Sequence, residues 1–201
     1  MSAARPISRF PVPELHELPE DIRTQILDVQ EKAGFVPNVF LALAHRPAEF
    51  RAFFAYHDAL MLKDSGSLTK AEREMIVTTT SARNRCLYCV VAHGALVRVY
   101  SKKPQLADQI AVNHVKADLS ARERAMLDFA VKVCEQADAV EESDYAGLYT
   151  HGFDDEDIWD IAAITAFFGM SNRLANSFAM RPNDEFYLMG RIPRSPSPQK
   201  T

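Results

Sequence analysis

The sequence predicts an all-α protein, and three features of its composition indicate this. Only 7 of the 201 residues are Gly, well below the average usage of roughly 7%. Seven of the 11 Pro lie in residues 1–19 and 190–201, so none interrupts the stretch from Gln105 to Arg181. Ala, the strongest helix former, occurs 27 times, and no stretch alternates apolar and polar residues as a half-buried strand does.

Capping residues, turn residues and apolar spacing divide the chain into helices. Pro is favoured in the first turn of a helix, acidic residues stabilise that turn, and Gly commonly ends a helix. The first three predicted helices are one opened by Pro19 and closed by Gly34, a short one capped by Asn38 and running to His45, and one after Pro47 that ends at 64–67. The next three are one capped by Thr69, one over 87–100 and a short one over 106–112. The last three are one capped by Ser120, a brief one over 141–149 and a long one after Asp154.

Two of these helix starts match each other at an offset of 51 residues, since residues 68–75 align with residues 119–126. Each contains a capping box, in which Ser or Thr is followed three residues later by Glu. The match indicates either coincidence or a duplicated helical hairpin. Glu74 of the first copy corresponds to Ala125 of the second, and the second copy has no CxxC. Any chemistry therefore belongs to the first copy.

Charge and hydropathy exclude several classes of protein. The net charge is -4, and no block of Lys or Arg favours nucleic acid or anionic lipid as a partner. No apolar run approaches the roughly 20 residues that a membrane-spanning helix needs. Residues 1–10 have no apolar core of a signal peptide, which favours a cytoplasmic location. We expect an N-terminal arm over 1–18, one helical domain over 19–189 and a disordered tail over 190–201.

Three reactive side chains fall together at the start of the helix over 87–100. Cys86 and Cys89 form a CxxC pair, and His93 lies one helical turn beyond Cys89. A helix start favours thiolate over thiol, and an imidazole one turn away can accept the thiol proton directly or through a water. Glu74 on the preceding helix is placed to orient that imidazole. The pattern indicates a nucleophile, a base and an orienting carboxylate.

Other interpretations of the CxxC remain open. A haem attachment site is excluded because Val90, not His, follows Cys89. A zinc site would have Cys86, Cys89 and His93 as ligands but lacks an evident fourth. A metal-binding or redox-sensing module, and a buried structural pair beside a core histidine, are the remaining alternatives. No metal or cofactor is predicted.

These residues resemble the alkylhydroperoxidase D / carboxymuconolactone decarboxylase family, and in particular its peroxidase-related branch. In the shared pattern, Glu74 is followed by eleven residues and then the CxxC pair, and three further residues separate this pair from His93. The similarity extends over about residues 20–190 and includes the segments 35–38, 123–124, 168–175 and 181–185. It implies an alkylhydroperoxidase D-like helical domain that forms homo-oligomers. A decarboxylase is disfavoured, since members with that activity generally lack the CxxC.

The resemblance implies a thiol peroxidase cycle with an antioxidant role. Cys89 would be the peroxidatic thiolate, activated by His93 with Glu74 behind it, and Cys86 would then form a disulfide with it. A lipoamide-like or thioredoxin-like thiol would reduce that disulfide. Tyr88 departs from the family pattern, because well-studied alkylhydroperoxidases carry a second histidine there. This indicates slower peroxide turnover, or disulfide exchange rather than peroxide reduction as the natural reaction.

Four other groups of residues receive structural interpretations. Trp159 and Phe167-Phe168 are expected in the core or at a subunit interface. His57 is expected to be a core or pocket histidine that could line the substrate entrance. Cys134 is expected to be a small core residue.

Overall fold

The computed structural model describes residues 6–191, and within that range it contains ten α-helices and no strand. Single 3-10 turns at Leu15–Glu17, His114–Lys116 and Ala137–Ala139 lie between them. The helices are α1 (Glu20–Ala33), α2 (Asn38–Leu43), α3 (Pro47–Met61), α4 (Lys70–Arg83), α5 (Leu87–Ser101), α6 (Leu106–Asn113), α7 (Ala121–Gln136), α8 (Glu142–Tyr149), α9 (Asp155–Ser177) and α10 (Glu185–Leu188). The predicted all-α class is confirmed. None of the helices in this range is long and apolar enough to cross a membrane.

The predicted capping signals form in the structure. The Thr69 hydroxyl accepts a hydrogen bond from the Glu72 amide at 3.1 Å, while the Glu72 carboxylate accepts from the Thr69 amide at 2.8 Å. Ser120 begins α7 in the same way, and Asp154 caps α9. Gly34 ends α1 with φ 84°, a left-handed conformation that Gly adopts without steric cost.

One predicted cap is wrong. Asn38 is the first residue of α2 rather than its cap, and its side chain donates to the Arg181 carbonyl at 2.8 Å. The Asn38 amide donates instead to Oδ1 of Asn183 at 2.7 Å. The cap comes from the far end of the chain, and α2 ends at Leu43, before the predicted His45.

Helix α4 lies at the centre of the molecule. Every residue from Glu72 to Ser81 is buried, because α5, α6, α7 and α9 all pack around this helix. Its apolar residues join the main core with Phe129, Ile161 and Phe168. A second buried cluster surrounds the CxxC, and a third joins α1, α2 and α3. The central helix therefore holds Glu74 in a fixed position beneath α5.

The two ends of the described chain are joined. The Arg9 amide donates to the Phe178 carbonyl at 2.7 Å, and the Arg181 amide donates to the Ile7 carbonyl at 3.0 Å. The described part of the predicted arm is thus attached to the segment after α9, and its Leu18 is buried. Of the predicted tail, residues 192–201 lie outside the described residues. Its disorder stays a prediction.

Helix α10 has no counterpart among the predicted helices. The buried Arg98 of α5 holds it, since Nη2 donates to the Phe186 carbonyl at 2.7 Å and Nε donates to the Met189 carbonyl at 2.8 Å. Arg191 follows the helix and forms two hydrogen bonds with Asp108. These contacts dock the C-terminal segment against α5 and α6.

The duplicated hairpin stays a hypothesis. The two matching helix starts touch, as Nε of Arg122 donates to Oε1 of Glu72 at 3.2 Å. The helices that follow them differ, since α5 has 15 residues and α8 has 8. The correspondence is therefore local to the two capping boxes and the helices that they begin.

Candidate active site

The CxxC lies at the turn between α4 and α5. Cys86 is the N-cap residue of α5, its amide donates to the Ser81 carbonyl at 2.9 Å, and Arg85 before it has φ 54°. Both thiols are free, and the residues are 0% and 2% exposed for Cys86 and Cys89 respectively. The tight turn thus places both sulfurs at the amide end of a helix and inside the protein.

The two sulfurs share a hydrogen bond and differ in acidity. The pKa of Cys86 is lowered to about 7, chiefly by a hydrogen bond from Cys89. The Cys89 and Tyr88 amides and the Asn172 side chain lower this pKa further, whereas burial raises it. The same hydrogen bond, burial and the Cys86 charge raise the pKa of Cys89. The hydrogen bond from Cys89, with the amides of the helix start, therefore favours thiolate at Cys86, and the shared proton rests on Cys89.

His93 and Glu74 form the predicted pair. Nδ1 of His93 is 2.6 Å from Oε2 of Glu74, and both side chains are almost buried. A carboxylate accepts hydrogen bonds, so Nδ1 carries the proton and Nε2 is the nitrogen left for exchange with a ligand or thiol. The Phe168 ring packs nearly perpendicular to the imidazole, with 4.7 Å between the ring centroids. Glu74 and Phe168 together fix the orientation of the ring.

A cavity of about 230 Å³ opens beside these residues. Cys89 and His93 line it, whereas Cys86 does not. Its other walls are mainly apolar and come from several helices, including Phe40, Phe54, Leu96, Phe168, Phe186 and Met189. The volume far exceeds that of one water molecule. The cavity therefore gives an apolar organic molecule access to one sulfur of the pair.

Tyr88 lines the same cavity and also connects two helices. Its buried hydroxyl accepts a hydrogen bond from the Val39 amide at 3.0 Å, at the start of α2. Burial raises the pKa of Tyr88, so the phenol stays protonated at neutral pH. Tyr88 is suited to donate a hydrogen bond and not to accept a proton.

The structure adds an amide network that spacing along the sequence did not reveal. Asn172 of α9 is fully buried; Nδ2 donates to the Ser81 hydroxyl at 2.9 Å, and Oδ1 accepts from Asn84 at 2.9 Å. Its side chain also lowers the pKa of both sulfurs of the CxxC, and that of Ser171 lowers the pKa of Cys89. The segment 168–175 carried part of the family resemblance, which was the one signal pointing to these residues.

The residues given structural interpretations from the sequence lie in the core, at the surface and in the cavity wall. Phe167 and Phe168 are buried, as expected. Trp159 is 73% exposed, so its assignment to the core is wrong and the interface interpretation remains. His57 lines the cavity, in agreement with a pocket histidine. Cys134 is only partly buried, and burial raises the pKa of its thiol.

The metal-binding interpretation gains no support from the geometry. Within residues 6–191, no group of three or more His, Cys, Asp or Glu side chains is arranged to hold a metal ion. Glu74 is hydrogen-bonded to His93, and Cys86 to Cys89. These polar groups are therefore already partnered within the protein.

Comparison with known proteins places the chain in a family. The fold is that of an alkylhydroperoxidase D core. A peroxidase-related protein with this core from Ralstonia eutropha JMP134 is 72% identical, with a TM-score of 0.93 over 95% of this chain and 100% of that chain. A peroxidase-related protein from Silicibacter sp. TM1040 is 43% identical, with a TM-score of 0.89 over 95% and 100% of the two chains. The model of the carboxymuconolactone decarboxylase family matches residues 47–112. The chain belongs to this family and to its alkylhydroperoxidase D-like, peroxidase-related members.

More distant similarity concerns the fold alone. The debrominase Bmp8 is 17% identical, with a TM-score of 0.74 over 94% of this chain and 98% of that chain. The same helical arrangement thus occurs in proteins of different activity. None of the curated proteins is significantly similar to this chain.

Proposed function

We propose that the protein is an enzyme, a thiol-dependent reductase of organic hydroperoxides with an antioxidant role. The observation that carries the proposal is that Cys89 and His93 line one apolar cavity, with Glu74 hydrogen-bonded behind the imidazole. The peroxidase-related relatives support the same reaction class. The apolar walls favour an alkyl or aryl hydroperoxide over hydrogen peroxide.

The first step is attack by Cys89 on the peroxide. Cys89 is the sulfur that the cavity reaches, and its raised pKa means that its proton must be removed. His93 accepts that proton on Nε2, and Glu74 stabilises the imidazolium that results. The S–O bond forms as the O–O bond breaks, which gives a sulfenic acid on Cys89 and an alkoxide that leaves as the alcohol after protonation.

The second step uses Cys86. Its pKa of about 7 provides a thiolate at neutral pH, in hydrogen-bond contact with the Cys89 sulfur. Attack by Cys86 on the sulfenic sulfur forms the disulfide and releases the oxygen as water. Two thiols from an external donor, such as a dihydrolipoamide-like or thioredoxin-like dithiol, restore the pair by exchange. The cycle needs no metal and no bound cofactor.

Stopped-flow oxidation with cumene hydroperoxide, followed by turnover with dihydrolipoamide, tests the proposal. Cys89→Ser should abolish peroxide consumption. Cys86→Ser should consume at most one equivalent, because the sulfenic acid then has no partner sulfur. Cys134→Ser serves as the control and should behave like the wild type, losing two thiols per peroxide without an intermolecular crosslink. Undiminished turnover by Cys89→Ser would exclude the mechanism.

Disulfide reduction without peroxide is the second candidate. The lowered pKa of Cys86, at a helix start, is the property that thiol–disulfide exchange uses. Reduction of oxidised lipoamide by the prereduced protein, faster than its reaction with any hydroperoxide, would favour this function.

A further inference from the structure

We propose that His57 is the general acid that protonates the alkoxide released from the peroxide; this inference rests on the proposed function. His57 belongs to α3, which contributes neither sulfur nor the Glu74–His93 pair. It nonetheless lines the cavity that Cys89 and His93 share. The cavity therefore contains two imidazoles, supplied by different helices.

The His57 ring is held much as the His93 ring is. Nδ1 of His57 is 2.8 Å from Oδ1 of Asp58, and the side chain is 24% exposed. Because the carboxylate accepts the Nδ1 proton, Nε2 is the nitrogen that can exchange a proton with a molecule in the cavity. Each imidazole is thus paired with a carboxylate through Nδ1, and each keeps Nε2 for chemistry.

His57 packs against the aromatic side chains of the cavity wall. The His93 and His57 rings both pack on Phe168, with centroids 4.7 Å and 6.4 Å from the phenyl ring. His57 also contacts Phe167 at 6.2 Å and Phe54 at 6.1 Å. It therefore lies among the apolar side chains of the cavity wall, where the organic part of a hydroperoxide would bind, while His93 lies beside Cys89.

Two separate proton transfers give these imidazoles different tasks. The Cys89 proton goes to His93, whereas the alkoxide formed by O–O cleavage needs a proton at the oxygen that remains on the organic group. An alkoxide is a strong base, and an apolar cavity has little water to protonate it. His57, protonated at Nε2, donates that proton and regains one from solvent through its exposed edge. The net reaction is one thiol and one hydroperoxide giving one sulfenic acid and one alcohol.

Leaving-group dependence provides the test. Cumene hydroperoxide releases an alkoxide that requires a proton, whereas peroxybenzoic acid, of similar size, releases a carboxylate that is stable without one at neutral pH. Single-turnover oxidation of the reduced protein should slow by about 100-fold with cumene hydroperoxide in His57→Gln, the scale of general acid catalysis. The rate with peroxybenzoic acid should change by less than about threefold, because its leaving group needs no acid.

Two further variants control the experiment. Asp58→Asn should give a smaller loss with the same selectivity for cumene hydroperoxide, since the ring is then less well oriented. Tyr56→Phe, on the same helix with its side chain partly exposed, should react as the wild type with both peroxides. A thiol titration confirms that each variant starts with a reduced pair, and circular dichroism confirms that each variant is folded.

The outcomes separate this inference from the proposed function. Equal losses with both peroxides, in His57→Gln and in Asp58→Asn, would overturn the role of His57 and leave the peroxidase function standing. A wild-type protein that reduces neither peroxide would overturn the peroxidase function itself, and this inference with it.

Discussion

The two sulfurs of the CxxC have complementary positions and acidities. Cys86 lies behind the cavity and holds the negative charge, while Cys89 faces the cavity and holds the proton. The hydrogen bond from Cys89 explains most of the first half of this division, and the amides at the helix start add to it. The second half requires His93, because the sulfur that faces the cavity is the less acidic one. The site thus keeps Cys89 protonated until a base acts on it.

The acidity of Cys86 is a testable consequence. Its pKa is lowered chiefly by the hydrogen bond from Cys89. In the reduced wild type we expect thiolate absorbance at 240 nm to rise with pH through a midpoint of about 7. Cys89→Ala removes the donor, so its midpoint should move upward toward that of an ordinary thiol, about 8.5.

Cys134→Ala provides the matched control for that titration. The Cys134 thiol is distant in sequence from the pair, and burial raises its pKa, so its removal should leave the midpoint unchanged. An unaltered midpoint in Cys89→Ala would show that the helix amides alone acidify Cys86.

The sequence revealed the local part of the site and not the distant part. Cys86, Cys89 and His93 share one helix, so spacing alone brought them together. Glu74 was identified because it lies on the helix before the CxxC and because it matches the family pattern. Asn172 comes from α9, whose approach to α5 depends on packing that no short-range pattern encodes. His57 was predicted as a core or pocket histidine, but its place in the same cavity as Cys89 depends on the packing of α3 against α9. An isolated Asn in a helical stretch carries no signal of its own.

At the scale of the helices, Asn183 links the two ends of the chain around the cavity. Its Oδ1 accepts from the Asn38 amide, and its Nδ2 donates to the Val36 carbonyl at 2.9 Å. It caps α2 as a preceding residue normally would, although it is 145 residues away. This explains why local capping rules assigned the cap of α2 wrongly while predicting those of α4 and α7.

Removing this remote cap should destabilise the protein. Asn183→Ala leaves the Asn38 amide without its acceptor, and loss of a cap costs about 1 kcal/mol. Urea unfolding followed by circular dichroism should show that decrease, together with weaker binding of an apolar fluorescent probe in the cavity. Asn176→Ala, whose exposed side chain makes one long hydrogen bond of 3.4 Å, should cost less. Equal stabilities would contradict the proposed link.

At the scale of the whole molecule, the exposed Trp159 of α9 indicates an association surface. A Trp that is 73% exposed is unusual on a monomer, and Trp is enriched where proteins meet. The family resemblance implies a homo-oligomer, and α9 is the longest of the described helices. Trp159 therefore identifies the face of α9 through which we expect the copies to associate.

Light scattering during size-exclusion chromatography measures this association. We expect the wild type to elute as an oligomer and Trp159→Arg to elute as a monomer at the same concentration, because a charge at the centre of an apolar contact opposes association. Val112→Arg is the control, since Val112 of α6 is 87% exposed and is not on α9. A monomeric wild type, or an unchanged oligomer in Trp159→Arg, would contradict the prediction.

The docking of α10 against α5 has a consequence for how the protein is made. Phe186 and Met189 complete the cavity wall, and they follow Cys89 by about 100 residues. At roughly 5–20 residues per second, a ribosome needs roughly 5–20 s to add that length. During that interval the nascent chain carries its thiol pair without the wall that encloses it. We therefore expect the pair to be enclosed by its cavity only after synthesis has passed the last helix, and chaperones or cellular reductants to encounter it first as ordinary accessible thiols.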